Sequence, residues 1–363
     1  MVLFTDRLQE LQEKRRGRLG LSPKHRVTRL DELVKDHLLK KHQAGATSHS
    51  HMLDLEHRLR VALTFFGSER DPRTIEAEDI REWAEALARN GQRKPGTVRH
   101  YLNAVSGLYR RAIEGRFAER NPVSELMEKP TGKWKGEAAF LEVADAARLL
   151  EAARALERRG DRAPGVEGNR MTATEGLFPI IATFLLTGGR RAEVLGLDLD
   201  DISFERDLIH FRPNVHRRLK TQTSVRSVPL WPQLQEILLD WIAQRHPSRS
   251  SGLLFPSQTG GIVGDLRKSL DAMAALVGME SGSVRTRRFR HTYCSARLQT
   301  VQRILKPGRD PNDPDAWEYV EVSKFQVQKE MGHGGSQLVD RIYGHAQRTP
   351  VRSDVVEYRV EKH

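Results

Sequence analysis

Apolar residues recur at helical spacing in the first third of the chain, and this pattern predicts a first domain. Two runs between Val27 and Gly67 have apolar positions three or four residues apart, and the polar segment KHQAGATSHSH separates them. A third run predicts a helix from Ala77 to Asn90, and a fourth begins after Pro95. We therefore expect a helical bundle of about four helices over residues 26–128.

The second part of the chain changes from helical to strand periodicity and back. A helix predicted from Val143 to Leu156 is followed by the mostly apolar helix GLFPIIATFLLTGGR, which we expect in the core. The segments DISFERDLIHFRP and TSVRSVPL alternate apolar and polar residues around turn signals, which predicts a small three-stranded antiparallel sheet. Helical spacing returns at 231–245, 263–277, 287–300, 324–331 and 336–343. The fold class we expect is mainly α with a small antiparallel β-sheet.

Composition divides the chain into segments. Residues 1–25 are polar and basic and predict a frayed helix or an arm. Residues 129–140 are rich in Pro, Gly and Lys, which is typical of a linker between domains. Residues 141–363 then form a second domain.

Net charge indicates the kind of partner. The chain has 363 residues with 60 Lys and Arg against 48 Asp and Glu, and about +8 of its net charge of +12 lies in residues 1–135. This balance favours a nucleic acid partner; the alternative is a basic surface kept for solubility. No apolar run approaches the length of a membrane span, and the charged N-terminus lacks the apolar core of a secretory signal. We expect no membrane partner.

Cysteine, histidine and glycine patterns argue against cofactor chemistry. A single cysteine, Cys294, excludes internal disulfides and cysteine-based zinc clusters, and it suits a prokaryotic cytoplasm. The 14 histidines show no metal-ligand spacing. The chain contains neither a P-loop nor a GxSxG motif. We expect no metal and no cofactor.

Cationic residues stand beside predicted apolar helices and could meet a phosphate. Arg190 follows LLTGG, with Glu193 three residues later, and Lys220 lies between two predicted strands. His333 follows a glycine, and the helix RRFRHTYCSARL opens with Arg287, Arg288 and Arg290. Each has an ordinary structural alternative: an Arg190–Glu193 ion pair, a turn lysine or a solvated helix face.

Together with Tyr343, these residues resemble, in order and spacing, the tyrosine recombinase (phage integrase) family. The segment TGGRRAEVLGLDLDDI is similar to the family's first-arginine motif, and KTQTSVRSVPL to its strand-turn-strand lysine motif. RRFRHTYCSARL resembles the second-arginine motif, and MGHGGSQLVDRIYGH the motif that carries the nucleophile. The resemblance implies a helical core-DNA-binding domain followed by a catalytic domain.

The resemblance also implies roles. Tyr343 would attack the scissile phosphorus, giving a 3′-phosphotyrosine and a free 5′-hydroxyl without ATP or metal. Arg190 and Arg290 would hold the non-bridging oxygens, and His333 would donate a further hydrogen bond. Lys220 would protonate the leaving 5′-oxygen, and Glu193 would hold the geometry. Tyr358, in the tail 346–363, competes for the nucleophile role but has no glycine–histidine motif before it.

Three departures from the family pattern are visible. Arg287 stands where the family usually has histidine; a guanidinium is no base at neutral pH, so we expect altered proton traffic rather than a dead enzyme. The adjacent His291 points elsewhere on the helix and does not replace it. His333 and Tyr343 are ten residues apart, one more than usual. Residues 300–322 are an insertion in which PGRDPNDPD and WEYVEV predict a projecting hairpin of unassigned function.

The implied partner is double-stranded DNA with specific recombination sites. A C-terminal element long enough to dock on a neighbouring protomer implies a homo-tetramer on two DNA sites, with a possible accessory directionality factor. DNA contacts of the first domain are expected from Arg93, Lys94, Arg99, Arg110 and Arg111. The expected location is the cytoplasm, at the nucleoid. The functions left open are a site-specific recombinase of a mobile element, a catalytically silent DNA-binding protein and a type IB-like topoisomerase.

Overall fold

The computed structural model of the protein describes residues 29–45, 48–89, 93–128, 140–158, 176–219, 222–246, 252–257, 259–332 and 354–359. They form two compact units that divide between Lys135 and Gly136. The predicted segment 1–25 and residues 129–139 of the predicted linker lie outside the described residues. No helix in these ranges has the length and apolar character needed to cross a membrane.

The first unit is the predicted bundle of four helices. Its helices are α1 (Leu30–Gln43), α2 (His49–Phe66), α3 (Ala77–Ala88) and α4 (Pro95–Glu114). The connection between α1 and α2 is shorter than the polar segment suggested, because Ser48 caps α2 by accepting a hydrogen bond from the His51 N–H. The core of the unit is built around Trp83 and Tyr109, whose side chains are fully buried.

The second unit is mostly helical with two small sheets. Its elements are α5 (Val143–Arg158), α6 (Leu177–Thr187), α7 (Arg191–Leu195), β1 (Ile202–Ser203), β2 (Leu208–Phe211), β3 (Arg226–Pro229), α8 (Pro232–Asp240, continued by a π-turn Trp241–Arg245), α9 (Arg267–Leu276), α10 (Thr286–Leu298), β4 (Val301–Leu305), β5 (Trp317–Glu321) and α11 (Lys324–Met331). The predicted helix 336–343 lies outside the described residues.

Helix α6 forms the centre of this unit, since all its residues are buried. Its two threonines need no outside partner: the Thr183 hydroxyl donates to Pro179 O at 2.8 Å, and the Thr187 hydroxyl donates to Thr183 O. Gly188 ends the helix with a φ of +61°, a conformation that glycine adopts without strain. The chain therefore turns sharply just before Arg190.

The predicted three-stranded sheet is present and antiparallel, in the order β1-β2-β3. Strand β2 pairs with β3 so that Ile209 opposes Val228 and Phe211 opposes Arg226. Because side chains alternate along a strand, Arg226 lies on the same face as the buried Val228. One arginine is thus directed toward the apolar core.

The insertion at 300–322 forms the predicted hairpin. Strands β4 and β5 pair antiparallel, with Val301 opposite Glu321 and Leu305 opposite Trp317. The hairpin connects α10 directly to α11.

The described part of the C-terminal tail packs within its own chain and is not helical. Gln233 of α8 donates to Tyr358 O at 2.7 Å and accepts from the Tyr358 N–H at 2.8 Å. Val356 and Tyr358 are buried in the core of the second unit. Residues 354–359 thus contact their own chain, and the expected docking of the tail on a neighbouring protomer stays a prediction. Tyr358, the competing nucleophile, is a packed core residue here.

Gly188→Ala should destabilise the second unit strongly. An added Cβ would lie 2.6 Å from Tyr293 Cδ1, and the alanine would have to keep the positive φ of Gly188. Gly278→Ala is the matched control, since its φ is +73° but no atom lies within 4 Å of the added Cβ. We expect Gly278→Ala to cost about 1 kcal/mol in urea unfolding and Gly188→Ala at least twice as much. Equal costs would show that the contact with Tyr293 is unimportant.

Candidate active site

Arg190 and Glu193 form an ion pair at the start of α7. Arg190 Nη1 donates to Glu193 Oε1 at 2.7 Å, and the Arg190 backbone N–H donates to Glu193 Oε2 at 2.8 Å. The carboxylate is buried, while the Arg190 side chain remains 35% exposed. Glu193 therefore fixes an arginine that still presents part of its guanidinium to the outside.

Arg290 lies in the middle of α10 and is buried. Its Nη1 donates to Gly188 O at 2.7 Å, and its Nη2 donates to Met331 O at the end of α11. The sharp turn after α6 and the C-terminus of α11 thus meet at one guanidinium.

The two arginines come together on neighbouring carbonyls. Arg290 binds Met331 O, and Arg190 Nη2 donates to Gly332 O at 3.0 Å. These carbonyls lie at the C-terminus of a helix, where the partial charge is negative, so they attract cations. Two arginines separated by 100 residues in sequence therefore share one small acceptor region, as the clamp of an anionic group requires.

Arg226 belongs to the same cluster and was missed from the sequence. Its Nη2 donates to Glu193 Oε2 at 2.8 Å, and its Nε donates to Glu330 O at 2.6 Å. Its guanidinium also stacks over the Phe211 ring, 4.4 Å from the centroid. The signal was available, because alternation along β3 places Arg226 on the buried face, where an arginine needs acceptors.

The surroundings of Glu193 keep it ionised. Burial alone would raise the pKa of this carboxyl, but the hydrogen bond and charge of Arg226, together with Arg190, lower it to about 2. The carboxylate is thus negatively charged near pH 7, and it holds both arginines.

Arg287 lies one helical turn before Arg290 and is exposed. His291 is half-buried; burial first, and then Arg287 and Arg290, lower its pKa to about 4. The imidazole is therefore neutral near pH 7.

Three predicted catalytic residues, Lys220, His333 and Tyr343, lie outside the described residues. The described chain ends next to two of them: Gly332, the C-cap of α11, precedes His333, and Leu219 precedes Lys220. Arg217 anchors the loop that leads to Lys220, since its buried guanidinium donates to Asp201 Oδ2 at 2.9 Å and to Glu193 O at 2.8 Å. This anchor was also missed from the sequence.

The cations expected to contact DNA from the first unit occupy α4 and its start. Arg99 and Arg110 are exposed and three helical turns apart, so they share one face. Lys94 is the exposed N-cap of α4, Arg93 stacks 5.2 Å from the Tyr101 ring centroid, and Arg111 Nη1 donates to Glu114 Oε2 at 3.0 Å.

Comparison with known proteins gives one family and several similar folds. Residues 171–302 match the phage integrase family. The structure of the Tn1549 transposon integrase in complex with a circular intermediate DNA has a TM-score of 0.65 and 17% identity, covering 87% of this chain and 95% of that chain. A lambda integrase dimer bound to a COC′ core site has a TM-score of 0.60 and 13% identity, covering 91% and 80%.

A third similar structure is the XerH site-specific recombinase bound to palindromic difH substrate, with a TM-score of 0.56 and 16% identity, covering 80% of this chain and 74% of that chain. No curated protein sequence matches the chain. At these identities the structural likenesses establish the fold: a helical N-terminal domain and a mostly helical C-terminal domain with small antiparallel sheets.

Glu193→Gln should remove a pH-dependent part of the stability. A carboxyl whose pKa falls to about 2 on folding stabilises the protein above its unfolded pKa and loses this contribution as the pH falls from about 5 toward 2. We expect Glu193→Gln to lower the free energy of unfolding by about 3 kcal/mol at pH 7. This gap in unfolding free energy between the wild type and the variant should close at low pH. The exposed Glu205→Gln is the control. A gap that is constant from pH 7 to pH 3 would contradict this account.

Proposed function

We propose that the chain, whose residues 171–302 match the phage integrase family, is a site-specific DNA recombinase that works through a 3′-phosphotyrosine intermediate. The observation that supports this most directly is the meeting of Arg190 and Arg290 on adjacent carbonyls, with Glu193 fixing the first arginine. Two planar guanidinium groups in one place match the non-bridging oxygens of a phosphodiester.

The proposed cleavage step forms one phosphoester bond and breaks another. The Tyr343 oxygen attacks the scissile phosphorus, and the 5′-oxygen of the next nucleotide leaves with a proton from Lys220. Arg190, Arg290 and a hydrogen bond from His333 stabilise the negative charge that the transition state gathers on the non-bridging oxygens. The step conserves the energy of the phosphodiester, so the reverse attack by a 5′-hydroxyl can join new strands.

Arg287 takes a supporting role in this proposal. An exposed guanidinium one turn before Arg290 adds positive charge near the phosphate, and it accepts no proton. The adjacent His291 is a weak base, since burial and the charges of Arg287 and Arg290 lower its pKa to about 4, and it does not take the place of a histidine at position 287. Because position 287 offers no base, the proton of Tyr343 passes to water in the proposed step.

The proposed substrate is double-stranded DNA that carries specific recombination sites. Similar folds are bound to a circular intermediate DNA, a COC′ core site and a difH substrate, and this chain has a net charge of +12. Arg99 and Arg110, with Arg93, Lys94 and Arg111 at the same helix, would contact phosphates from the first domain. We propose a tetramer on two sites as the active form, with a directionality factor as an optional partner, acting at the nucleoid.

Tyr343→Phe should abolish covalent capture of DNA. Nicked duplexes tiled across the DNA on both sides of the gene would trap the wild-type protein, because the cut fragment diffuses away and the reverse reaction fails. We expect an SDS-resistant complex with the wild type and none with Tyr343→Phe, while Tyr358→Phe still forms it. Site-specific DNA binding without a covalent complex in the wild type would instead identify a silent DNA-binding protein. Relaxation of supercoils without site preference would indicate a topoisomerase.

Replacing Arg99 and Arg110 by alanine should weaken DNA binding and its dependence on salt. Loss of two phosphate contacts should reduce the slope of log K against log salt by about 2. Arg81→Ala, which removes an exposed arginine already paired with Glu78, is the matched control. An unchanged slope in the double variant would place the DNA on another surface of the first domain.

A further inference from the structure

Arg226 is bonded in three directions within the second unit. Its Nη2 reaches the Glu193 carboxylate, its Nε reaches Glu330 O, and its Nη1 donates to Ser224 O at 2.9 Å. Its side chain is only 5% exposed, so it does not contact a bound duplex as a surface cation does. A planar guanidinium can serve these three acceptors together, whereas a lysine ammonium cannot span them.

The end of α11 is held by three arginines on three consecutive carbonyls. Arg226 binds Glu330 O, Arg290 binds Met331 O and Arg190 binds Gly332 O. The guanidinium of Arg226 is bonded to protein acceptors through all three of its nitrogens, while Arg190 and Arg290 are the proposed phosphate clamp. The position of the clamp therefore depends on where the last turn of α11 lies.

Glu330 is fixed at its side chain as well. Arg297 donates to its carboxylate through Nε at 2.9 Å and Nη2 at 3.0 Å, and the Tyr293 hydroxyl donates at 3.0 Å. These contacts attach α11 to α10, the helix that carries Arg290. Arg226 attaches α11 on the other side, where Arg190 lies. It belongs to β3 and binds both Glu330 O and the Glu193 carboxylate.

The close packing of Gly332 leaves little room for adjustment. Its φ is +60°, and an added Cβ would lie 3.1 Å from Thr223 O and 3.3 Å from Arg226 Cδ. The backbone of α11 thus rests directly on the Arg226 side chain at the point where the chain continues into His333. A shift of Arg226 is transmitted to this turn without an intervening residue.

We propose that Arg226 is a positioning residue for strand cleavage. It fixes two things at once: the Glu193 carboxylate that holds Arg190, and the carbonyl turn on which Arg190 and Arg290 rest and from which His333 follows. This role rests on the proposed recombinase function. In this role Arg226 acts through Glu193 and the α11 carbonyls, which hold the proposed phosphate clamp.

The test uses Arg226→Lys in the full chain with the nicked duplex that the wild type captures best. We expect single-turnover formation of the covalent complex to slow by about 10- to 100-fold, since misplacement by a fraction of an ångström to one ångström costs this much. The Kd for the same duplex should change by less than about threefold, because the phosphate contacts that dominate affinity lie elsewhere.

A second substrate separates positioning from a general loss of folded protein. A neutral methylphosphonate at the scissile position carries no charge for the arginines to neutralise, so correct placement of the clamp matters less there. The ratio of the wild-type rate to the Arg226→Lys rate should therefore be at least threefold smaller on the methylphosphonate duplex than on the phosphodiester duplex. Loss of folded protein would lower both rates by the same factor.

Trp241→Phe is the control for destabilisation. It removes the buried hydrogen bond from Trp241 Nε1 to Leu254 O. Trp241 lies beside Gly176, which precedes α6, whereas Gly188 follows that helix. We expect it to lower stability while leaving the cleavage rate of the folded protein unchanged.

The outcomes are distinct. The proposal is supported if Arg226→Lys cleaves slowly, binds DNA normally, and shows a smaller ratio of wild-type to variant rate on the methylphosphonate than on the phosphodiester. Normal cleavage, or equal losses on both substrates, overturns it while the recombinase function stands. Absence of any covalent complex with the wild type overturns the recombinase function and this role with it.

Discussion

A buried charge must have acceptors, and this constraint organises the second unit. Removing one partner from a buried ion pair costs about 3–5 kcal/mol, so each buried guanidinium is tied to several oxygens. The side chains of Arg217, Arg226, Arg290 and Arg297 are buried, and together they connect α7, the sheet, α10 and α11. The apolar core sets the helices around α6, and the arginines then decide how the ends of those helices meet.

These connections place charge where the proposed chemistry needs it. Glu193 is the one carboxylate described in direct contact with both Arg190 and Arg226, and its low pKa means that both arginines always have an anion beside them. Such a preorganised site does not need to rearrange as negative charge develops on a phosphate, which is the main way in which a protein accelerates phosphoryl transfer. A fixed α11 terminus is therefore part of the proposed mechanism.

The sequence predicted most elements and part of the site. Helical and alternating periodicities predicted the bundle, the sheet and the inserted hairpin, because these patterns follow from local geometry. The Arg190–Glu193 pair was accessible for the same reason, being three residues apart. Arg226 could have been suspected from its inward position on β3, but its acceptor at Glu330 lies 104 residues away, and no local pattern encodes such a contact. The docking of Tyr358 on Gln233 uses backbone groups, which every sequence offers equally.

The central claim is that the arginine cluster serves a tyrosine that becomes bonded to DNA. The direct measurement is mass spectrometry of the covalent complex after digestion with protease and nuclease. Our account predicts that a nucleotide is attached through its 3′-phosphate to the peptide that contains Tyr343. Attachment at Tyr358, or at a residue other than a tyrosine, would contradict it.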